Sequence, residues 1–437
     1  MRILPLAVAA TVSCGTPPVS APASAPAPAP AEDTGVTVRL EVPGRTNATP
    51  GITSAGDSVA VAWGVSLPGG QTDVFVAMSA DGGRTFGTPV RVNAIEGDAK
   101  LSGEQPPRVA LRGQEVFVLW TAGQRERSIK LSRSRDGGRT FDAAVALQAA
   151  GAPGNRGWPA LTVDAAGEPQ ALWLDHRGMA AKSDARKSET PAGHDHHAHG
   201  AGAGEGGGEG DGVAMAQKSR LYFAGGGRPE QEITPGVCYC CKTALVADDG
   251  GVVAAAWRHV YPGNLRDIAF VLSRDGGRTF GAPVRVNEDK WRLEGCPDDG
   301  PAMVVDRTAT FHLVWPTVVE EGQQRGVLHY ATSRDGRTFT APRRVETLGS
   351  LKPTHPQIAT DARGQVVVAW DEAIDGRRVA AARPLVRMGN GISFGPIVTL
   401  DATAGSYPVL AGASRGVIAA WTSGGDTSAI AVRRVLD

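Results

Sequence analysis

An apolar strand ending in tryptophan recurs seven times in the 437-residue chain. The copies are VAVAW (Trp63), VFVLW (Trp120), QALW (Trp173), VAAAW (Trp257), FHLVW (Trp315), VVVAW (Trp370) and VIAAW (Trp421). They are spaced 57, 53, 84, 58, 55 and 51 residues apart. The long interval contains a Gly- and His-rich insertion, and removing about 25–30 residues restores the period. A second repeat runs independently of the first: SADGGRTFGTPVRVN (79–93), SRDGGRTFDAAVAL (134–147), SRDGGRTFGAPVRVN (273–287) and SRDGRTFTAPRRVE (333–346). A chain of this length otherwise suggests two or three domains. A repeat sustained to its end instead predicts one ring of similar units.

Each period holds four short strands. The first follows a proline or cysteine, as in WPALTVD (158–164) and HPQIATD (355–361); the second ends in the tryptophan. The third leads into the Asp-containing repeat, as in DIAFVLS (267–273), and the fourth follows it, as in PVRVN (283–287). Alternating apolar runs punctuated by turn residues, with 57 glycines in the chain, read as all-β. Four antiparallel strands at this period make a propeller blade. The expected fold is an all-β propeller of seven blades, with six as the alternative. The last unit, ending AIAVRRVLD, lacks a fourth strand, and TVRLEVPG (37–44) is a spare one. Its insertion there would close the ring and leave no open sheet edge.

The propeller is assigned to residues 36–437, with a Gly/His-rich insertion at 178–216 in blade three. Residues 1–14, MRILPLAVAATVSC, place one arginine before a short apolar run and small residues, the pattern of a secretion signal. The run Thr11-Val12-Ser13-Cys14 resembles a bacterial lipobox, which implies lipidation of Cys14. Residues 15–35 are a Pro/Ala-rich tether that stays extended. The expectation is export across the inner membrane as a periplasmic or outer-membrane lipoprotein, monomeric, touching the membrane only through its anchor. With 45 basic and 45 acidic residues, nothing points to nucleic acid as a partner.

The motif Ser-x-Asp-x-Gly-x-Thr-Phe resembles the Asp-box, or BNR repeat, of the sialidase-like propeller superfamily. Complete copies stand at Ser79/Asp81/Gly83/Thr85/Phe86, Ser134/Asp136/Gly138/Thr140/Phe141 and Ser273/Asp275/Gly277/Thr279/Phe280. A copy one residue shorter stands at Ser333/Asp335/Thr338/Phe339, and NGISFGP (390–396) is a degenerate fifth. The resemblance places these motifs in the turn between third and fourth strands, away from the catalytic face. Turn chemistry explains every residue type in the motif, so Asp81, Asp136, Asp275 and Asp335 are read as structural.

The opposite rim collects the loops between blades and those between second and third strands. GVCYCCKT (236–243) and NEDKWRLEGCPDDG (287–300) occupy equivalent loops of neighbouring blades, which should bring Cys238, Cys240 and Cys241 towards Cys296. Two chemistries fit. Disulfides suit an oxidising compartment, although adjacent Cys240 and Cys241 have Cα atoms only about 3.8 Å apart, below the disulfide range. A copper or zinc site is the other reading, with Cys238, Cys240 and Cys296 joined by a rim histidine, His176 or His259. The insertion adds His194, His196, His197 and His199.

Sialidases of the superfamily use an arginine triad for the substrate carboxylate, a tyrosine nucleophile paired with a glutamate, and an aspartate acid/base. Tyr407, in SYP, resembles the tyrosine's position, and Arg258 follows Trp257 on the rim. The family's first-blade Arg-Ile-Pro is replaced by Asn47-Ala48-Thr49-Pro50. Further rim candidates for a ligand are Arg156, Trp158, Arg266, Asp298, Asp299 and His355. The leading expectation is a propeller that binds a carbohydrate or protein ligand at its central rim. An exo-sialidase-type glycosidase, with Tyr407 and Arg258 catalytic, and a copper- or zinc-binding protein are the alternatives.

Overall fold

The computed structural model describes residues 35–179 and 211–436, apart from 294, 296, 298, 389, 390, 403 and 426. The segments read from sequence as a signal peptide with Cys14 and as a tether (all but its last residue), the His-rich tract, Cys296 and Asp298 therefore lie outside the described residues.

Seven antiparallel blades form in chain order. Blade one is Thr46–Ala55, Ser58–Ser66, Thr72–Ser79 and Val90–Arg91. Blade four is Ala244–Ala247, Val253–Tyr261, Leu265–Ser273 and Val284–Arg285. Blade seven begins with Gly405–Gly412, Val417–Ser423 and Ala429–Val435, and its outer strand is Val38–Leu40. Val38 pairs with Val432 and Leu40 with Ile430. The N-terminal strand thus closes the ring as its sequence predicts. Blade six departs from the pattern: Arg377–Met388 pairs with both Gly391–Phe394 and Val398–Asp401. Gly391–Phe394, inside the degenerate fifth motif, is a strand rather than an Asp-box turn.

The core is a ring of layers between neighbouring blades. Each repeated tryptophan is fully buried and packs in the layer between its own blade and the preceding one. Trp63 sits with Ile418, Ala420 and Ile430 of blade seven; Trp120 sits with Ala60, Ala62 and Val76 of blade one. Trp257, Trp315, Trp370 and Trp421 repeat the arrangement. An indole N–H buried this way needs an acceptor. Six tryptophans have one, including Asn47 for Trp63 at 3.0 Å, Asp289 for Trp315 at 2.6 Å and Glu372 for Trp370 at 2.7 Å. Trp120 Nε1 has none among the described residues.

The Asp-boxes close the third-to-fourth turns. In blade two the amides of Arg139 and Thr140 donate to Asp136 Oδ1 at 3.0 and 2.9 Å, and Thr140 Oγ1 donates to Oδ2 at 2.6 Å. Gly138 N donates to Ser134 Oγ at 2.9 Å. Gly138 has φ +84°, a conformation that glycine adopts without a Cβ clash. The short fourth copy keeps the same bonds, from Thr338 N to Asp335 Oδ1 at 2.9 Å and from Thr338 Oγ1 to Oδ2 at 2.8 Å. These hydrogen bonds hold all four carboxyls far below the usual carboxylate range.

The two tryptophan environments give a differential expectation. Trp370→Phe removes a hydrogen bond to a buried carboxylate, and Trp120→Phe removes none. Urea unfolding should show Trp370→Phe costing roughly 1.5–3 kcal/mol more, the value of a hydrogen bond to a charged group. Equal losses would contradict the assigned acceptor.

Candidate functional site: the channel mouth

Four of the first strands begin with the same local distortion. Thr49-Pro50, Trp158-Pro159, His355-Pro356 and Tyr407-Pro408 each sit at a shift in register against the second strand. The residue before each proline has positive φ: +58°, +52°, +54° and +52°. A residue preceding proline ordinarily stays extended, and positive φ is costly for bulky or β-branched side chains. Strain of this kind persists where the surroundings enforce it. Three of these residues, Trp158, His355 and Tyr407, are rim candidates read from the sequence.

His355 is the hub. Its ring bridges two carboxylates: Nδ1 lies 2.8 Å from Asp371 Oδ1, and Nε2 lies 3.1 Å from Glu104 Oε1. Its backbone N–H donates to Asp299 Oδ2 at 2.8 Å. Asp299 Oδ1 is 3.1 Å from Lys242 Nζ, which also donates to the Pro356 carbonyl at 3.1 Å. The Tyr407 ring lies 4.1 Å from the His355 ring, and Tyr407 N donates to Asp371 Oδ2 at 2.6 Å. Arg378 pairs with Asp371 and bonds Thr354 Oγ1. Gly103 makes room for the tyrosine, since a Cβ there would fall 2.0 Å from Tyr407 ring carbons. Blades two, four, five, six and seven thus meet at one point. Beneath it the channel keeps a cavity of about 170 Å³ lined by Arg108, Lys242, Thr243, Gln357 and Leu410. A side pocket of about 320 Å³ between blades five and six is lined by Trp291, Asp299, Gln324, Leu351 and Thr354.

Burial and charge set the protonation states. Burial alone would push His355 down, but Asp371 and Glu104 outweigh it and raise the imidazole to about 9. Asp371 would rise on burial, yet His355 and Arg378 hold it down at about 2. Burial and Asp299 raise Glu104. Burial, Glu104 and Asp371 push Tyr407 up to about 12.

The three candidate arginines lie in the walls instead of at the mouth. Arg258 is fully buried and donates to the carbonyls of Asp299, Arg266 and Pro316. Arg156 pairs with Asp175 at 3.0 Å and caps the carbonyls of Ala152, Pro153 and Gly154. Arg266, also fully buried, donates to Leu293 O and to Cys238 Sγ. No guanidinium of this set is free to clamp a ligand carboxylate. Sequence reasoning passed over Glu104, Lys242, Asp371, Arg378 and Arg108. Asp371 had a signal, since it follows Trp370 as Arg258 follows Trp257.

The cysteines form a second cluster beside the mouth. Cys238, Cys240 and Cys241 are buried, with their sulfurs within 4.8 Å of one another. Cys238 Sγ is 3.3 Å from Cys241 Sγ and 3.7 Å from Cys240 Sγ, and no disulfide joins any two of the three; Cys240 is itself disulfide-bonded. Cys238 and Cys241 are free thiols. The thiol of Cys241 donates to Cys238, and with Arg266 and Arg258 nearby it outweighs burial and lowers Cys238 to about 7. Burial raises Cys241. The expected histidine partners do not join them. His259 Nδ1 accepts from Trp257 Nε1 at 3.3 Å and its ring packs on Tyr261, while His176 packs near Trp158. Burial pushes both imidazoles down to about 4.

No family model and no curated protein matches the chain. Among solved structures, a polysaccharide lyase of the PL25 ulvan lyase family aligns with TM-score 0.52 at 10% identity, over 90% of this chain and 94% of its own. The Penicillium chrysogenum α-L-arabinanase complexed with arabinobiose aligns with TM-score 0.49 at 13% identity, over 93% and 98%. The Hadza microbial sialidase Hz136 aligns with TM-score 0.46 at 14% identity, over 84% and 73%. At these identities the likeness concerns the fold alone. The chain folds as a seven-bladed β-propeller, as these solved propellers do.

The His355 ion pairs have a stability signature. A raised histidine adds stability that is complete below the unfolded value near 6.5 and is lost as pH rises through about 9. The depressed Asp371 adds stability present above its unfolded value near 3.8 and lost as pH falls towards about 2. NMR should place the His355 midpoint near 9 and those of His176 and His259 near 4. His355→Gln should lose its stability deficit relative to wild type above pH 9; a His355 midpoint near 6.5 would contradict the bridged geometry.

Proposed function

We propose that this protein is an extracytoplasmic propeller, anchored through a lipid on Cys14, that binds a carbohydrate at its channel mouth. The observation that carries the reading is the enforced strain at Trp158, His355 and Tyr407. Three unfavourable backbone conformations bring two aromatic rings and an imidazolium to the rim, beside Glu104, Asp299, Lys242 and Arg378. Strain held at one site is a mark of function. Aromatic faces suit the apolar faces of sugar rings, and fixed polar groups suit their hydroxyls. The PL25 ulvan lyase was also solved bound to -[GlcA(1-4)Rha3S]-. The two propellers share a fold, and the glycan is taken here only as the class of ligand to test.

The sialidase-type reading is less well supported. Its nucleophile would be Tyr407, whose phenol is pushed up to about 12 and so resists ionisation. Its carboxylate clamp would be Arg258, Arg156 or Arg266, and all three are spent on wall contacts. The same geometry fits recognition better than glycoside cleavage.

The test is a panel of neutral and anionic oligosaccharides offered to the full chain, with affinities measured by calorimetry. The bound glycan should lose at least tenfold affinity on Trp158→Ala, about 1.4 kcal/mol. Arg139→Ala, on an exposed Asp-box turn, should bind as wild type. A panel with no binder, or a binder equally insensitive to both changes, would overturn the reading.

A further inference from the structure

Arg258 and Arg266 are both 0% exposed. A buried cation normally has a counter-charge. Among the described residues neither guanidinium has a carboxylate within ion-pairing distance. Arg258 meets three backbone carbonyls and the Trp291 ring, 4.8 Å from its guanidinium carbon. Arg266 meets the Leu293 carbonyl and one sulfur, Cys238 Sγ at 3.3 Å, and its Nη2 is buried without a partner. Two buried positive charges therefore face the cluster of thiols; Asp267 acts on Arg258 without contacting it, and the group in contact with Arg266 that can carry a balancing negative charge is the Cys238 sulfur.

We propose that Cys238 and Cys241 hold one thiophilic monovalent cation, Cu(I), as a two-coordinate bis-thiolate in the wall beside the channel mouth. The two sulfurs are free, 3.3 Å apart and sealed from water by Trp158, Val213, Ala216, Tyr239 and Val260. Binding displaces the protons remaining on the two thiols to solvent. It moves no electron, and copper stays Cu(I). The product carries one net negative charge, held against Arg266 and Arg258. A side-chain rotation that opens the sulfurs from 3.3 Å to either side of the ion is the only movement required.

Two competing fates of the same pair fit less well. A Cys238–Cys241 disulfide is neutral and a weak acceptor, so it would leave both guanidiniums buried without a counter-charge in contact. Zinc takes four ligands in a structural site, and among the described residues no histidine or carboxylate groups with the sulfurs. Soft thiolates with no harder ligand select Cu(I). This assignment differs from the Cys238, Cys240, Cys296 and histidine set expected from sequence, and it does not depend on what binds at the mouth.

The experiment uses the full chain with its Cys240 disulfide kept intact, under anaerobic conditions, given one equivalent of Cu(I) and then desalted. The expected result is about one copper retained per chain, with X-ray absorption showing sulfur neighbours and no nitrogen. The His194–His199 tract would instead give nitrogen neighbours. Cys241→Ser should weaken retention at least tenfold. Should that variant fail to fold, protection of wild-type Cys238 and Cys241 from alkylation by bound copper, read by mass spectrometry, decides the matter. Copper held through nitrogen only, copper lost on desalting, free alkylation of both cysteines in the loaded protein, or zinc retained in its place would each overturn the assignment.

Discussion

The fold depends on one contact made seven times: a tryptophan within the second strand, which runs on past it, wedged against the preceding blade. A single four-stranded blade cannot bury both of its faces, so no blade is a stable unit alone. The tryptophans turn seven half-buried sheets into a continuous annular core, in which each layer draws side chains from two blades. Closure then matters as much as packing. Val38–Leu40 fills the outer place in blade seven, and the last blade is held to the first by Trp63 packed on Ile418 and Ile430. The chain's two ends share one sheet, so the ring closes without an open strand edge at the seam.

This construction separates the two sides of the ring. On one side, Asp-box carboxylates spend their oxygens on turn amides and a threonine hydroxyl, which leaves little chemistry to offer. On the other, loops between blades deliver side chains to a common centre. There the X-Pro bulges break the alternation of the first strands and re-aim residues that a regular pleat would place on a sheet face. His355 uses its ring, its backbone and its strained conformation at once. It joins Glu104 of the loop entering blade two, Asp299 of the loop entering blade five and Asp371 of blade six. Lys242, one residue beyond the cysteine run, reaches the same knot through Asp299. The thiol cluster and the mouth are therefore adjacent parts of one wall, built from the loop entering blade four.

The repeat made most of the fold legible. Tryptophan spacing gave the blade number, the Asp-box gave the turns, and an unpaired TVRLEVPG gave the closing strand. Gly391–Phe394 was misread because its Ser-Phe-Gly resembles a motif end, whereas pairing with Arg377–Met388 decides its state. The site was only partly legible. Trp158, His355, Tyr407 and Asp299 could be named because each borders a Pro or Gly at a blade entrance. Arg156, Arg258 and Arg266 look like ligands in sequence, but buried carbonyls compete for a guanidinium as well as a substrate does. Asp371 was marked by its place after Trp370, but Glu104 carries no local signature: its partner His355 lies 251 residues away, and only ring closure brings it there. The cysteine run raised the right question: Cys240 is disulfide-bonded, as an oxidising compartment favours, while Cys238 and Cys241 are free thiols beside the blade-four arginines, which no sequence spacing announces.

The proposed carbohydrate recognition at the mouth would require His355 to remain an imidazolium, bridging Asp371 and Glu104 while Tyr407 packs against it. The most direct measurement is the affinity of the bound glycan for the full chain across pH 6–10. The account predicts constant affinity through pH 8 and a loss as pH passes about 9, where His355 gives up its proton. Affinity that is flat to pH 10, or that falls near 6.5, would contradict it.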